Sequence, residues 1–317
     1  MSARNYVVTG NNAAAVGRDE ATAAMGTADL VWVHLDGNDP ASLDWLNTQD
    51  LPNIVVNALI ATETRPRTDL VDGGAILNMR GPGEEAADFT DMLTSVRIWA
   101  SHKRVISLTM RDLMALETLD QDILAGKILD PGDLVCVLAT TITAELDPDV
   151  AELGDTLDDC EELFDAKNAF SMRRTIAATR AKAIAYRRFV APQRQALEKL
   201  ARIDAAWLTD DDRAHLGEAA DRAARMAEEL EAIRERSALM HEQLTDLRAE
   251  LIDTRSLVIS VVALVFLPLT FLTGLLGMNV DGIPYAHEPW AFMTVCAVCI
   301  AVAVAVGAYF IRAKWFR

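Results

Sequence analysis

The chain has 317 residues, of which 47 are acidic and 30 are basic, so its formal net charge is −17. This acidic excess argues against a nucleic-acid partner, because binding to a phosphate backbone depends on lysine and arginine. The length is sufficient for one or two domains.

Short runs of β-branched and aromatic residues mark the first part of the chain. Helix-like or turn-rich pieces such as ASLDWLNTQD lie between these runs. The pattern predicts a cytoplasmic α/β domain over residues 1–128. The expected strands are 6–9, 30–35, 75–79, 95–100 and 105–110.

A helical pattern follows in residues 129–209. Asp130 suits an N-cap, because Pro131 then takes the first helical position. We predict two helices here, over 131–168 and 171–202, despite prolines at positions 148 and 192. The acidic segment DDCEE (158–162) with Cys160 could bind a metal, but a solvated helix surface is the favoured interpretation.

A third helix is predicted to begin at Asp210 and to continue without interruption into an apolar run. No glycine or proline lies between Gly217 and Pro268, so the stalk (210–255) and the following span form one helix of roughly 100 Å. Such a helix requires neighbours, either further copies or the two preceding helices. Its coiled-coil seam is Leu216, Ala219, Ala223, Met226, Leu230, Ile233, Ser237, Met240, Leu244, Leu247 and Leu251.

Two uncharged runs predict transmembrane helices at 256–280 and 289–311, each long enough to cross a bilayer. The connecting loop (281–288) has no lysine or arginine, whereas Arg255 precedes the first span and the tail (312–317) is basic. The positive-inside rule therefore places both termini in the cytoplasm. Cys296 and Cys299 lie inside the second span, where packing is the favoured interpretation over a zinc or redox site.

The first span carries a stripe of mostly small or hydroxylated residues at alternating steps of three and four. Small and polar residues in a bilayer face other helices or water. The stripe therefore indicates either close helix packing or a pore, and a pore would require several copies. Its residues are Ser256, Ser260, Ala263, Leu267, Thr270 and Gly274.

The stripe ends at Gly277, Met278 and Asn279. A ring of asparagine carbonyls could accept hydrogen bonds from the water shell of a divalent cation, which loses its water reluctantly. The alternative is an ordinary helix C-cap at glycine.

Three residues of the loop could attract a hydrated metal ion: Asp281, His287 and Glu288. Imidazole and carboxylate are competent zinc ligands, although adjacent residues cannot complete a tetrahedral site. A solvated loop is the alternative. The sequence has no glycine-rich phosphate loop, zinc-hydrolase motif or nucleophile elbow, so neither an enzyme nor a bound cofactor is expected.

The Gly-Met-Asn triplet after the first of two C-terminal spans, behind a very long helix and an α/β domain, resembles the CorA superfamily of metal-ion transporters. The likeness covers the whole architecture. Within the superfamily the chain is most similar to the ZntB branch, through WVHLDG (32–37), ETRPR (63–67), VRIWAS (96–101), APQR (191–194) and GMNVDGIP (277–284). Asp281 departs from the glycine expected in much of that branch.

The resemblance implies a homopentamer in the bacterial inner membrane, with a funnel-shaped cytoplasmic part and a pore lined by the first span. It implies that Asn279 meets the hydrated ion, that Gly277 and Met278 shape the constriction, and that Thr270 forms a hydroxyl ring. The implied cargo is zinc, with or without protons. The alternatives are a magnesium or cobalt channel, nickel transport and a membrane-tethered coiled-coil scaffold.

Overall fold

The computed structural model describes residues 4–62, 65–83, 93–164, 168–279, 283, 285 and 288–312. The chain divides into two compact units. One comprises Met1–Phe164 and Phe170–His241, and the other comprises Asp165–Ala169 and Glu242–Arg317.

The first unit contains a seven-stranded sheet. Its strands are β1 (Arg4–Thr9), β2 (Asn12–Ala15), β3 (Leu30–Asp36), β4 (Arg67–Val71), β5 (Gly74–Pro82), β6 (Leu93–Ser101) and β7 (Arg104–Thr109). The order is β2-β1-β3-β7-β6-β5-β4. The β3–β7 pair is parallel, and the other neighbours are antiparallel.

All five predicted strands are present, but the sequence analysis missed β2 and β4. Both are edge strands, and neither has a strong intrinsic signal. The residues of β2 are NAAA and those of β4 are RTDLV, which are low in the β-branched and aromatic residues that favour strands. Pairing with β1 and β5 holds them in the sheet.

Three short helices accompany one face of the sheet: α1 (Arg18–Ala24), α2 (Pro40–Thr48) and α3 (Asn53–Ile60). Alternate residues of β3 and β7 form the core on this face with α2 and α3. Val33, Leu35, Leu108, Leu46 and Leu59 are fully buried there. Asp39 caps α2, because its side chain accepts a hydrogen bond from the amide of Ala41.

The opposite face of β3 and β7 contains a buried polar network around His34. Ser107 Oγ accepts a hydrogen bond from Trp32 Nε1 at 2.8 Å and lies 2.8 Å from His34 Nδ1. The other ring nitrogen of His34, Nε2, lies 3.3 Å from Thr109 Oγ1, so each ring nitrogen has a hydroxyl partner. Burial, together with the positive charge of Arg4, lowers the pKa of His34 to about 3.

His34 makes folding stability dependent on pH. Its pKa is lower in the folded chain than the ordinary 6.5, so its contribution is complete above pH 6.5 and is lost as pH falls toward 3. We expect the free energy of unfolding to fall by about 2 kcal/mol between pH 7 and pH 5 from this group. Denaturant unfolding of His34→Gln should lack this loss, whereas the exposed-site control His102→Gln should keep it. An unchanged pH slope in His34→Gln would contradict the assignment.

Four further elements complete the first unit: α4 (Ala115–Leu124), α5 (Pro131–Glu162), α6 (Ala169–Ala201) and the first part of α7 (Asp210–Leu276). Helices α5 and α6 cover the His34 side of the sheet, where Gln193 Oε1 accepts the amide hydrogen of Arg80 at 2.8 Å. Pro148 and Pro192 lie inside α5 and α6 without ending either helix.

Helix α5 begins at the predicted N-cap but ends at Glu162, six residues before the predicted end at residue 168. The difference has an electrostatic reason. Its last turn carries Asp158, Asp159, Glu161 and Glu162, and carboxylates are unfavourable at the negative end of the helix dipole.

Helix α7 has 67 residues; it begins at Asp210 as predicted and ends at Leu276, four residues before the end of the predicted span. The coiled-coil seam is buried from Leu216 to Leu244, whereas Leu247 and Leu251 are half-buried. The last helix, α8 (Ala291–Arg312), begins two residues later than the predicted second span. Both α7 and α8 contain a stretch long and apolar enough to cross a membrane.

Candidate ion pathway

The C-terminal part of α7 has two faces with different exposure. The predicted stripe from Ser256 to Gly274 is exposed along its whole length. A second row is half-buried and consists of Leu257, Val261, Val265, Leu269, Leu272 and Leu276. At ~100° per residue the two rows lie on opposite sides of the helix.

Helix α8 has a half-buried face of its own. Its residues are Val295, Cys296, Cys299, Val302, Ala303, Val306 and Gly307, and Phe310 is buried. A row of half-buried residues on each of two apolar helices is typical of side-by-side packing. The stripe on α7 belongs to neither row and stays uncovered in the single chain.

Gly277 ends α7. Its amide donates to the carbonyl of Thr273 at 2.9 Å, and a Cβ at position 277 would lie only 3.0 Å from that oxygen. Gly277 is not in the left-handed region, so a close backbone approach explains the glycine better than a left-handed cap does. Met278 and Asn279 follow as exposed residues beyond the helix.

The loop residues predicted to attract metal are described only in part. Asp281 and His287 lie outside the described residues. Glu288 is exposed before α8, where its amide donates to the carbonyl of Tyr285 and its carbonyl accepts from Ala291. Glu288 therefore belongs to the turn that leads into α8.

One group of three carboxylates in the described part of the chain is close enough to hold a cation: Asp130, Asp133 and Asp212. Each already caps a helix. Asp130 accepts from the amide of Asp133 at 2.9 Å, and Asp133 accepts from Leu129 at 2.8 Å. Asp212 Oδ2 accepts from the amide of Thr209 at 2.7 Å. These bonds explain the cluster as paired helix starts.

The same carboxylates fix how α5 and α7 meet. A Cβ at Gly132 would collide with Asp212 Oδ2, so only glycine leaves room for this cap. Cys136 lies beside it, with Sγ 3.3 Å from the carbonyl of Asp212. Burial and the charge of Asp212 raise the pKa of Cys136, so the thiol stays protonated and is a poor metal ligand.

The DDCEE segment is also structural. Asp158 and Glu161 pair with Arg236 of α7 at 2.5 Å and 2.9 Å. Cys160 is buried between them, and burial raises the pKa of its thiol. These contacts join α5 to α7.

Residues 27–312 match the family described as CorA-like Mg²⁺ transporter proteins. The chain belongs to this family of divalent cation transporters. The CorA-like chain is 33% identical over 300 residues to the zinc transport protein ZntB of Pectobacterium carotovorum, covering 92% of this chain and 91% of that one. It is also 33% identical over 322 residues to the divalent cation transporter CmaX of Pseudomonas aeruginosa, covering 98% and 95%.

Solved structures of CorA-like proteins have the same fold. The full-length CmaX structure matches with a TM-score of 0.80 at 31% identity, covering 98% of this chain and 97% of that one. The CorA magnesium transporter of Methanocaldococcus jannaschii matches with a TM-score of 0.78 at 17% identity, covering 98% of each. These findings confirm the family resemblance and the α/β, long-helix and apolar-helix fold class. The family consists of transporters, not enzymes, as expected.

Two of the buried polar residues to which the sequence analysis gave no role face each other in the sheet. Asn78 on β5 is 1% exposed, and Arg97 on β6 is 2% exposed. The available signal was the alternation in VRIWAS, which places Arg97 on the same side of β6 as buried Trp99.

Proposed function

We propose that the protein transports zinc across the cytoplasmic membrane through a pore lined by residues 256–280. The observation that supports this most is the uncovered stripe on α7, which lies opposite the half-buried row. Copies of α7 arranged with this stripe inward would enclose one ring of leucine side chains, at Leu267, between rings of hydroxylated and small residues. The hydroxylated and small positions leave room for a hydrated cation.

The assembly is a homopentamer, as the family resemblance implies, with Gly277, Met278 and Asn279 at the entrance. Both termini lie in the cytoplasm, and the loop 281–288 lies outside. The absence of lysine and arginine from this loop supports that orientation. Residues 1–128, 129–209 and 210–255 form the cytoplasmic α/β domain, helical region and stalk.

The choice of zinc rests on the ZntB relatives, which are named for zinc transport. The family description names magnesium, which supports a magnesium channel as the second candidate; cobalt is added by the family resemblance alone. Asn279 carbonyls suit both, because they accept hydrogen bonds from the water shell rather than replacing it.

Purified full-length protein in liposomes tests this proposal. A metal-sensitive dye inside the vesicles reports uptake of zinc, magnesium, cobalt and nickel, each with and without a pH gradient. We expect zinc uptake above that of protein-free vesicles, and acceleration by the gradient would show coupling to protons. Faster uptake of magnesium than of zinc would favour the second candidate. If no metal is taken up, the transport proposal is wrong and the membrane-tethered coiled-coil scaffold is the remaining alternative.

Asp281 is proposed to attract the cation electrostatically. Asp281→Lys should lower zinc uptake about fivefold at ~10 mM ionic strength, because a dication is repelled by the new charge. The effect should shrink at ~150 mM, where exposed charges are screened. Asp211→Lys, at the exposed start of α7, is the control. Equal zinc uptake rates for Asp281→Lys and wild type at low ionic strength would show that Asp281 does not attract the cation.

A further inference from the structure

Strands β5 and β6 place Asn78 directly opposite Arg97. Opposed residues of an antiparallel pair have their side chains on the same face, with Cβ atoms roughly 5 Å apart. Both side chains are almost completely buried. The two form one polar site inside the α/β domain.

Four side-chain polar atoms of this site lack hydrogen-bond partners among the described residues. Arg97 Nε and Nη1 have no acceptor, and both amide atoms of Asn78 are unpartnered. Arg97 Nη2 makes one long hydrogen bond, 3.4 Å, to the carbonyl of Thr62. Buried polar groups in folded proteins are nearly always paired, and a buried unpaired cation is especially unfavourable.

Nearby positive charge makes the unpaired guanidinium of Arg97 still less favourable. Burial and the nearby positive charge of Arg80 lower the pKa of Arg97, yet a guanidinium keeps its proton at neutral pH. Arg67 on β4 is the register partner of Asn78 on its other side. No carboxylate in the described part of the chain pairs with Arg97. The site therefore holds one buried positive charge, that of Arg97, because Arg67 is half-exposed and pairs with Asp69 at 3.5 Å.

We propose that Asn78 and Arg97 bind one inorganic phosphate ion. The guanidinium N–H groups can donate to two oxygens of an oxyanion, as in other arginine–phosphate pairs. Asn78 offers a donor, Nδ2, and an acceptor, Oδ1. Hydrogen phosphate matches both because it carries acceptor oxygens and one O–H, whereas sulfate has no O–H and chloride cannot accept a forked pair. The site belongs to the first compact unit, whereas the stripe on α7 belongs to the second.

Thermal unfolding of the full-length protein in detergent, followed by tryptophan fluorescence, tests the proposal. At constant ionic strength, raising phosphate from ~1 to ~50 mM should increase Tm by about 3–6 °C. Sulfate should have a smaller effect and chloride the smallest. Titration calorimetry should give one phosphate per chain.

Variants separate this site from the general stabilisation that phosphate and sulfate give to proteins. Arg97→Met should lose the difference between phosphate and sulfate, and the control Arg173→Met, at an exposed arginine of α6, should keep it. Asn78→Asp places a carboxylate opposite Arg97, so it should raise Tm without phosphate and abolish the phosphate response. This variant keeps the test decisive if Arg97→Met does not fold.

Three results would overturn the proposal. The first is a wild-type protein whose Tm responds equally to phosphate and sulfate. The second is a phosphate response that persists in Arg97→Met. The third is a phosphate-free Arg97→Met that folds but unfolds well below wild type, because that loss would reveal a carboxylate of the chain as the partner of Arg97.

Discussion

Asn279→Ala is expected to reduce zinc flux ~100-fold or more, because several copies would each lose a hydrogen bond of ~1 kcal/mol to the water shell of the ion. Asn279 is exposed beyond the end of α7. The substitution should therefore leave folding and assembly unchanged. Stopped-flow dye measurements on liposomes with matched protein content give the rate.

Asn53→Ala is a suitable control for this experiment. Asn53 is exposed at the first position of α3, where the same truncation should leave flux at the wild-type rate. Light scattering in detergent should give the same oligomer mass for both variants and wild type. Wild-type flux in Asn279→Ala would remove Asn279 from the transport mechanism.

Gly274→Leu is expected to reduce zinc flux at least ~10-fold, since a ring of leucine side chains would narrow and dewet the pore. Gly274 is the last stripe residue inside α7. Gly274 is exposed, and a Cβ there meets nothing within 4 Å in the single chain, so we expect the effect to arise between copies.

Ala301→Leu is the control. Ala301 lies inside α8 on the side that is exposed in the single chain, away from the half-buried face. A leucine introduced there, off the stripe, should leave the rate close to that of wild type. If both variants transport equally well, the stripe serves for helix packing and the pore lies elsewhere.

The sequence predicted the long helix accurately because several local signals agree there. Asp210–Asp212 favour a helix start, the seam repeats without a break, and Gly277 follows the last turn. The predicted coiled-coil seam is also the buried face of α7 from Leu216 to Leu244. The spacing alone showed which residues of α7 share one face. That this face is exposed, and that a half-buried row lies opposite it, is visible only in the structure.

The features that the sequence did not reveal depend on contacts between distant segments. Strand β2 exists because Val7 and Val8 pair with Ala14 and Ala13, not because alanine favours strands. The polar site of Asn78 and Arg97 depends on a register that no local pattern specifies. Asp130 was recognisable as a cap, but its closeness to Asp212 was not. The number of copies stays a prediction from resemblance.

The starts of α5 and α7 reach their final packing together, because the Asp212 carboxylate occupies the space that a side chain at position 132 would fill. Cys136 and Asp212, which touch there, are 76 residues apart in the chain. Closing so long a loop has an entropic cost that local helix formation does not repay. We therefore expect the bundle of α5, α6 and the first half of α7 to fold as one cooperative unit rather than helix by helix.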